Sequence, residues 1–443
     1  MIIKGLTNYR TTGKTLVYEV VKYNTGEINM RTRNISSTQD INPSRILDID
    51  AIRAFALFGI LVVNMGLFAS VYSFFGVENP AFTSGLDHAA TWIKTVFIDT
   101  KFYLLFSFLF GYSFTLQMES AERRGVKFVP RILRRSTGLF IIGLVHAIFF
   151  YHGDILRLYA VLGLVLLVLR KIQPRTAFIL AGLFIGGTAV LLGVSGLLMP
   201  SDPSTAADSA QSFAEATNST AAFQGGPISV IMENIRLTPR NLMVWAISMT
   251  ASALGAFLMG LAFGKKRLLV NVGKHPKTLR YIQYIGYPIG LIGAVIYATY
   301  GMSFDNVSAS LLSLALDQLT APFLTAAYVA SLFSFFHSSR LGQWTASTLA
   351  PMGRTALTNY LLQSVICVFI FTGYGLGLTG QVSLVSVWII SVVVFLVQLV
   401  LSVIWMKRHQ FGPVEWLLRA FTYLEWPLWK KRYLSKRGFE GNK

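Results

Sequence analysis

The sequence predicts an all-α fold, a polytopic transmembrane bundle of about ten helices with both termini on the cytoplasmic side. Three observations lead there. Hydrophobic residues make up 53% of the 443 and charged ones only 13%, where soluble domains carry about 25% charged. Apolar runs of roughly 16–28 residues recur along the chain, enough to span or nearly span a bilayer. The basic residues are placed unevenly: of 39 Lys and Arg, all but Lys94, Lys101, Arg157, Arg236 and Arg240 fall in segments that alternate to one side of the runs. That is positive-inside bias. It also accounts for the net charge of +19 without nucleic acid, because no basic surface with interleaved aromatics stands apart from the apolar runs.

Residues 1–46 read as a cytoplasmic extension. Leu16 to Tyr23 is β-rich, and Asn24-Thr25-Gly26-Glu27 suits a turn back into a short hairpin; otherwise the composition is that of a loosely ordered tail. No cleavable signal segment is expected there, so the first apolar helix serves as the anchor. The transmembrane domain is expected over 47–408. Helix 1 covers Ala51 to Ser73, and Trp92 to Asp99 lies at the membrane surface. Helix 2 covers Lys101 to Met118, and a basic turn with Arg123, Arg124, Lys127, Arg131, Arg134 and Arg135 leads to helix 3, ending near Tyr151. His152-Gly153-Asp154 makes an outer turn before helix 4, which ends at Arg170-Lys171. Helix 5 covers Ala177 to Met199, and residues 200–240, rich in Ser, Thr and Ala, are expected as a polar, partly mobile external loop. Helix 6 ends at Lys265-Lys266-Arg267; helix 7 covers Tyr281 to Met302; helix 8 covers Ala309 to Phe336, with Pro322 inside. Helix 9 follows Gly353-Arg354 and helix 10 ends at Lys407-Arg408. The tail, 409–443, sets Trp416, Leu417, Phe421, Leu424, Trp426 and Trp429 among Lys and Arg, which suits a helix lying in the interface.

Ionisable groups within hydrocarbon are costly and mark function by default. Asp50 and Arg53 share a face at the inner mouth of helix 1, and Asn64 follows Arg53 by three helical turns, about 16 Å deeper on the same face. His146 lies about 9 Å below the outer turn of helix 3, and the hairpin brings Asp154 towards it, so a carboxylate would hold the imidazole tautomer and raise its basicity. Packing of a hydrogen-bonded histidine is the plainer alternative. Asp87-His88 is a second acid–base pair or a solvated loop pair, and Asp317 interrupts helix 8, where it could pair with Arg157. Asn359 and Gln363 share a face of helix 9 with Arg354 at its cytoplasmic end; they either hold helices together or line a ligand path beginning at a phosphate-binding arginine. These groups lead us to expect a polar cavity open to the cytoplasm and lined by Arg53, Asn64, His146, Asn359 and Gln363.

Other chemistries find no support. Cys367 is the single cysteine, so neither an intrachain disulfide nor a cysteine metal cluster forms, and the histidines lack zinc-ligand spacing. No Walker motif, Rossmann fingerprint or Gly-x-Ser-x-Gly elbow occurs. No metal or tightly bound cofactor is expected.

Five stretches resemble the YeiB family of bacterial membrane proteins (domain of unknown function 418) over roughly residues 45–425. They are Leu47-Asp48-Ile49-Asp50-Ala51-Ile52-Arg53; Lys101-Phe102 through Leu105-Phe106-Ser107-Phe108-Leu109-Phe110-Gly111; His146 with Gly153-Asp154-Ile155-Leu156 and Tyr159-Ala160; Gly353-Arg354-Thr355-Ala356-Leu357-Thr358-Asn359-Tyr360-Leu361-Leu362-Gln363-Ser364; and Gly412-Pro413-Val414-Glu415-Trp416-Leu417-Leu418-Arg419. Ala54 departs from the glycine usual there. More distantly, Asp50, Arg53 and Asn64 are similar to the Asp-x-x-Arg and later His of acyltransferase-3 membrane enzymes. The heparan-α-glucosaminide N-acetyltransferase family looks similar there, with Asn in the His place. Asp87-His88-Ala89-Ala90-Thr91-Trp92 approaches that family's His-Ala-x-Trp, one residue longer, which would make His88 a base.

Two functions of different kinds follow. As a transmembrane acyltransferase, the chain would take acyl-CoA from the cytoplasm, its phosphates meeting Arg53 and Arg354. A base, His146 with Asp154 or else His88, would activate an extracytoplasmic glycan or lipid acceptor, and Asn64 or Gln363 would donate to the oxyanion. As a transporter or channel for a small solute or lipid, it would relay protons or ions through Asp317, Arg157 and His146; the absence of self-similarity between the halves disfavours this. A scaffold held by its polar residues is the third alternative. The expected surroundings are the lipid bilayer of the cytoplasmic membrane, with association into a homo-oligomer left open.

Overall fold

A computed structural model of the chain describes residues 4–11, 14–22, 28–33, 43–199, 206–270, 272, 275–301 and 306–431. The chain divides into two units, Met1–Ile46 and Leu47–Lys443. In the first, β1 (Lys4–Thr11), β2 (Lys14–Lys22) and β3 (Ile28–Arg33) form an antiparallel sheet in sequence order. Val, Leu, Tyr and Thr crowd β2, where branched and aromatic side chains suit a pleated surface. Its register sets Val17 opposite Asn8 on one side and Arg33 on the other. The β-rich run from Leu16 is therefore a central strand with a partner on each flank, rather than half of a hairpin in a loose tail. The Asn24–Glu27 turn lies outside the described residues.

The second unit is helical. Among the described residues, six helices are long and apolar enough to cross a membrane: α1 (Pro43–Ala69, from Leu47), α4 (Phe128–Phe149), α6 (Pro174–Leu198), α10 (Pro276–Tyr300), α11 (Val307–Ser338) and α14 (Leu384–Arg408). The pair α12 (Arg340–Arg354) and α13 (Ala356–Phe371), bent by 75°, makes a seventh if it counts as one span. α5 (Leu156–Leu169) and α9 (Thr250–Lys265) are shorter and apolar. α2 (Gly85–Phe97), α3 (Lys101–Arg123), α7 (Ala206–Gln224), α8 (Pro227–Ser248) and α15 (Pro413–Tyr423) complete the set. Ile389, Val393, Leu396, Val400 and Ile404 form an exposed stripe on α14, and Ile179, Leu183, Val190 and Leu197 do the same on α6. Such stripes are stable against lipid and would associate or aggregate in water. This is a membrane protein with several spanning helices.

Small residues let α3 and α9 cross closely. A Cβ on Gly111 of α3 would lie 2.0 Å from the Phe257 carbonyl oxygen, and one on Gly260 of α9 would lie 2.1 Å from that of Phe108. The two backbones thus touch, the close approach by which apolar helices gain packing in lipid. Phe110 and Phe257 stack at 4.7 Å beside the crossing. The bend between α12 and α13 leaves N–H groups at the start of α13 unpaired within the helix. Glu415 of α15 satisfies them, its Oε1 accepting from Leu357 N at 2.7 Å and Thr358 N at 3.0 Å. An isolated carboxylate thus caps a helix distant in sequence.

Residues 200–240, expected as a loop, are corrected here: most of them fold into α7 and α8. Alanine-rich composition favours helix, and Ala216, Phe223, Val230 and Leu237 pack on Val71, Tyr72 and Phe75, which follow α1. Three of the segment's polar residues, Ser219, Glu233 and Asn234, are buried. Ser219 donates to Glu233, and Arg236 Nε donates to Glu233 at 2.8 Å. Burial would raise the Glu233 carboxyl, but its hydrogen bonds from Arg236 and Ser219 outweigh this and hold it below the usual carboxylate range.

Candidate functional site

The turn between α4 and α5 builds a buried charged centre. His146 sits one turn before the end of α4, and its Nδ1 lies 2.9 Å from Asp154 Oδ1, with side-chain exposures of 2% and 0%. Asp154 Oδ2 accepts the Arg157 backbone N–H at 3.0 Å and faces Arg157 Nε at 3.5 Å. The carboxylate therefore caps the start of α5 while it orients the imidazole. In the tautomer that donates Nδ1–H to the carboxylate, Nε2 is the ring nitrogen left to accept. His146 Nε2 is buried and has no hydrogen-bond partner among the described residues. A tautomer fixed by a carboxylate, with the second nitrogen left over, is the arrangement of a general base. Gly143 permits it: a Cβ there would lie 2.5 Å from Asp154 Oδ2 and 2.9 Å from Arg157 N.

A cavity of about 310 Å³ lies beside this centre. One wall is the α1 face carrying Ile60, Val63, Asn64 and Leu67; others come from Thr100, which precedes α3, Tyr103 of α3, the 151–155 turn and Tyr360 of α13. The walls are mainly apolar, with a few polar groups, as in sites for small organic ligands. His146 stands behind the wall, its ring 5.2 Å from that of Tyr360 and 6.3 Å from that of Tyr151. The cavity is framed by the C-terminal half of α1, the start of α3 and the α4–α5 turn, the ends of these helices remote from Arg53, Arg123 and Arg131.

The expected cytoplasm-facing cavity is not the one observed. Of its five proposed lining residues, Asn64 alone lines the cavity. Arg53 pairs with Asp50 and donates to Ser113 Oγ at 2.7 Å. Asn359 points at Thr355 and at Ser402 Oγ of α14, 2.9 Å away, and Gln363 donates to Gln398 Oε1 at 3.1 Å. These amides stitch α13 to α14, because in lipid a polar side chain finds its partners on the next helix. Arg354 is exposed at the end of α12. His88 is exposed and lies 3.6 Å from Glu78, while Asp87 is buried, its Oδ1 accepting Leu384 N at 2.9 Å. Asp87 and His88 engage different partners and do not form an acid–base pair.

Two features escaped the sequence. Asp317 pairs with Lys101, not Arg157, at 2.9 Å, both side chains fully buried. His152 is clamped by α8: its N–H donates to Asn234 Oδ1 at 3.1 Å, and its carbonyl accepts from Asn241 Nδ2 at 3.1 Å. Burial holds the His152 imidazole down, to about 4, against its bond to Asn234 and the nearby Glu233. The spacing of Asn234 and Asn241, two turns on one helix face, would have been a signal had α8 been read as helix. Among the described residues, no group of three or more His, Cys, Asp or Glu is placed to hold a metal ion.

A family model described as a protein of unknown function (DUF418) matches residues 263–425. The uncharacterized protein YxaH of Bacillus subtilis (strain 168) is 36% identical over 406 residues, which cover 87% of this chain and 96% of YxaH. The uncharacterized protein YeiB of Escherichia coli (strain K12) is 29% identical over 399 residues, covering 85% of this chain and 96% of YeiB. An uncharacterized 39.9 kDa protein from the amylase 3′ region of Bacillus acidopullulyticus is 26% identical over 393 residues, covering 86% and 94%.

Proposed function

The chain belongs to the DUF418 family, with YxaH and YeiB, and we propose that it is a transmembrane acyltransferase. The observation that carries this reading is the His146–Asp154 pair with Nε2 unsatisfied beside the cavity. An acceptor hydroxyl or amine attacks the thioester carbonyl while Nε2 removes its proton. The C–S bond then breaks, and the proton passes from His146 to the departing CoA thiolate. Asn64, the polar group on the α1 wall, is the donor suited to the oxyanion. Arg53 and Arg354 meet the phosphates of acyl-CoA. The acceptor belongs to a glycan or lipid on the far side. His88, exposed on α2 and facing Glu78 rather than a buried carboxylate, is the less favoured base. CoA acts as a co-substrate, and no tightly bound cofactor takes part.

The topology belongs to the same reading. Counting the six long helices, the bent pair, α5, α9 and α3 gives about ten crossings. The basic ends then lie in the cytoplasm and the bundle in the cytoplasmic membrane. A reporter fused near Ser209 should register outside the cell; a cytoplasmic signal would overturn the count. The fully buried Lys101–Asp317 pair favours a second reading, a transporter in which that pair exchanges protons or ions. Binding separates the two. Purified protein should bind acetyl-CoA or a longer acyl-CoA, and no binding at millimolar concentration by folded protein ends the acyltransferase reading.

A further inference from the structure

At the basic end of the bundle, one core cluster joins Ala54, Leu139, Met352 and Leu418. Each lies within four residues of an arginine: Arg53 on α1, Arg135 on α4, Arg354 on α12 and Arg419 on α15. The packing that brings these helices together therefore brings four guanidinium-bearing positions together. α15 seats closely on α4, since a Cβ on Gly138 would lie 2.7 Å from Leu418 Cδ1. Arg134 Nε reaches the Thr422 carbonyl at 2.8 Å, and Arg131 lies over the Tyr423 ring at 4.7 Å. The arginines are within electrostatic reach of one another, Arg135 of Arg53 and Arg419, and Arg419 of Arg354 and Arg124.

Like charges gathered by packing are unfavourable unless something neutralises them. Two carboxylates stand near, and both are engaged. Asp50 pairs with Arg53, and Glu415 is spent on the N-terminus of α13. Arg135 Nε is buried with no hydrogen-bond partner among the described residues. The Arg419 guanidinium carbon lies over the Phe411 ring, 4.3 Å from its centre. Four arginines against two committed carboxylates leave a positive excess, and the planar guanidinium matches phosphate oxygens in paired hydrogen bonds.

We infer that Arg53, Arg135, Arg354 and Arg419 form one site for a phosphate group at the basic end of the bundle. The phosphate belongs either to a soluble ligand such as CoA or to the headgroup of an anionic lipid. Its assignment to the acyl donor rests on the acyltransferase reading; the site itself does not.

The test uses the full chain in nanodiscs of phosphatidylcholine, titrated with CoA and, separately, with inorganic pyrophosphate. A parallel arm measures retention of phosphatidylglycerol through purification. Arg354→Gln, at an exposed position, and Arg135→Lys, which keeps charge but loses the fork, guard against a variant that merely misfolds. For a soluble phosphate ligand, CoA and pyrophosphate compete, and Arg135→Gln, Arg419→Gln and Arg354→Gln each weaken CoA about tenfold or more, the effect of losing one charge-assisted bond. For a lipid, CoA binding is absent and the same variants lose the co-purifying phosphatidylglycerol. CoA binding with these dependences but without acyl transfer keeps the site and removes the acyltransferase reading. Folded variants that alter neither CoA, pyrophosphate nor phosphatidylglycerol binding overturn the site.

Discussion

Gly143→Ala adds one carbon to the α4 helix, and that carbon would lie 2.5 Å from Asp154 Oδ2 and 2.9 Å from Arg157 N. Neither neighbour can yield freely. Asp154 is held by His146 and by the α5 backbone, and Arg157 N belongs to the α5 helix itself. In a solvated helix the same change would help by about 0.5–1 kcal/mol, because alanine favours helix over glycine. Here overpacking should reverse the sign and cost about 1–3 kcal/mol, with His146 displaced from its carboxylate. Gly182→Ala on α6 is the control, since a Cβ there meets nothing within 4 Å. Thermal unfolding of both variants in one detergent gives the comparison. Gly143→Ala should unfold at lower temperature than wild type, and Gly182→Ala at the same or a higher one. Equal behaviour of the two would refute the close packing of α4 against the α4–α5 turn.

The buried Lys101–Asp317 pair should follow the rule for broken ion pairs: Lys101→Met strands a carboxylate at a cost of about 3–5 kcal/mol, and adding Asp317→Leu should recover much of it; no recovery in thermal unfolding would show that the two act separately. His152 sets a pH dependence. Its folded pKa, about 4, lies below the unfolded value near 6.5, so the unfolded chain binds the extra proton and stability falls as pH drops from about 6.5 towards 4. The drop is worth about 3 kcal/mol at roughly 1.36 kcal/mol per pH unit. His152→Asn should flatten the thermal stability profile over that window, and an unchanged profile would assign the acid sensitivity elsewhere.

Hydropathy and charge made the helical runs legible, because lipid requires long apolar segments and the basic flanks mark their ends. The meeting of His146 and Asp154 was legible for a local reason: a short turn between two helices leaves few alternatives for residues eight apart. α7 and α8 were not, since Ser, Thr and Asn read as loop until their partners, Glu233, Arg236 and the His152 backbone, are known. The same limit hid Lys101 as the partner of Asp317, a pairing that only the packing of α3 and α11 fixes. Asn359 and Gln363 look identical in sequence whether they line a path or tie helices; Ser402 and Gln398, on another helix, decide for tying. Arg135 and Arg419 looked like ordinary cytoplasmic positive charge until α15 was found seated on α4.

The central claim is that His146 acts as a base on an acyl acceptor. Its most direct test compares wild type and His146→Ala in liposomes made from cell-envelope lipid, supplied with acetyl-CoA and followed by release of free CoA thiol, with CoA binding measured on the same preparations. The account predicts thiol release by wild type and a fall of about 10²–10⁴-fold in the variant, the usual contribution of a general base, with CoA affinity nearly unchanged. Release at the wild-type rate from a folded His146→Ala variant that binds CoA normally would contradict it.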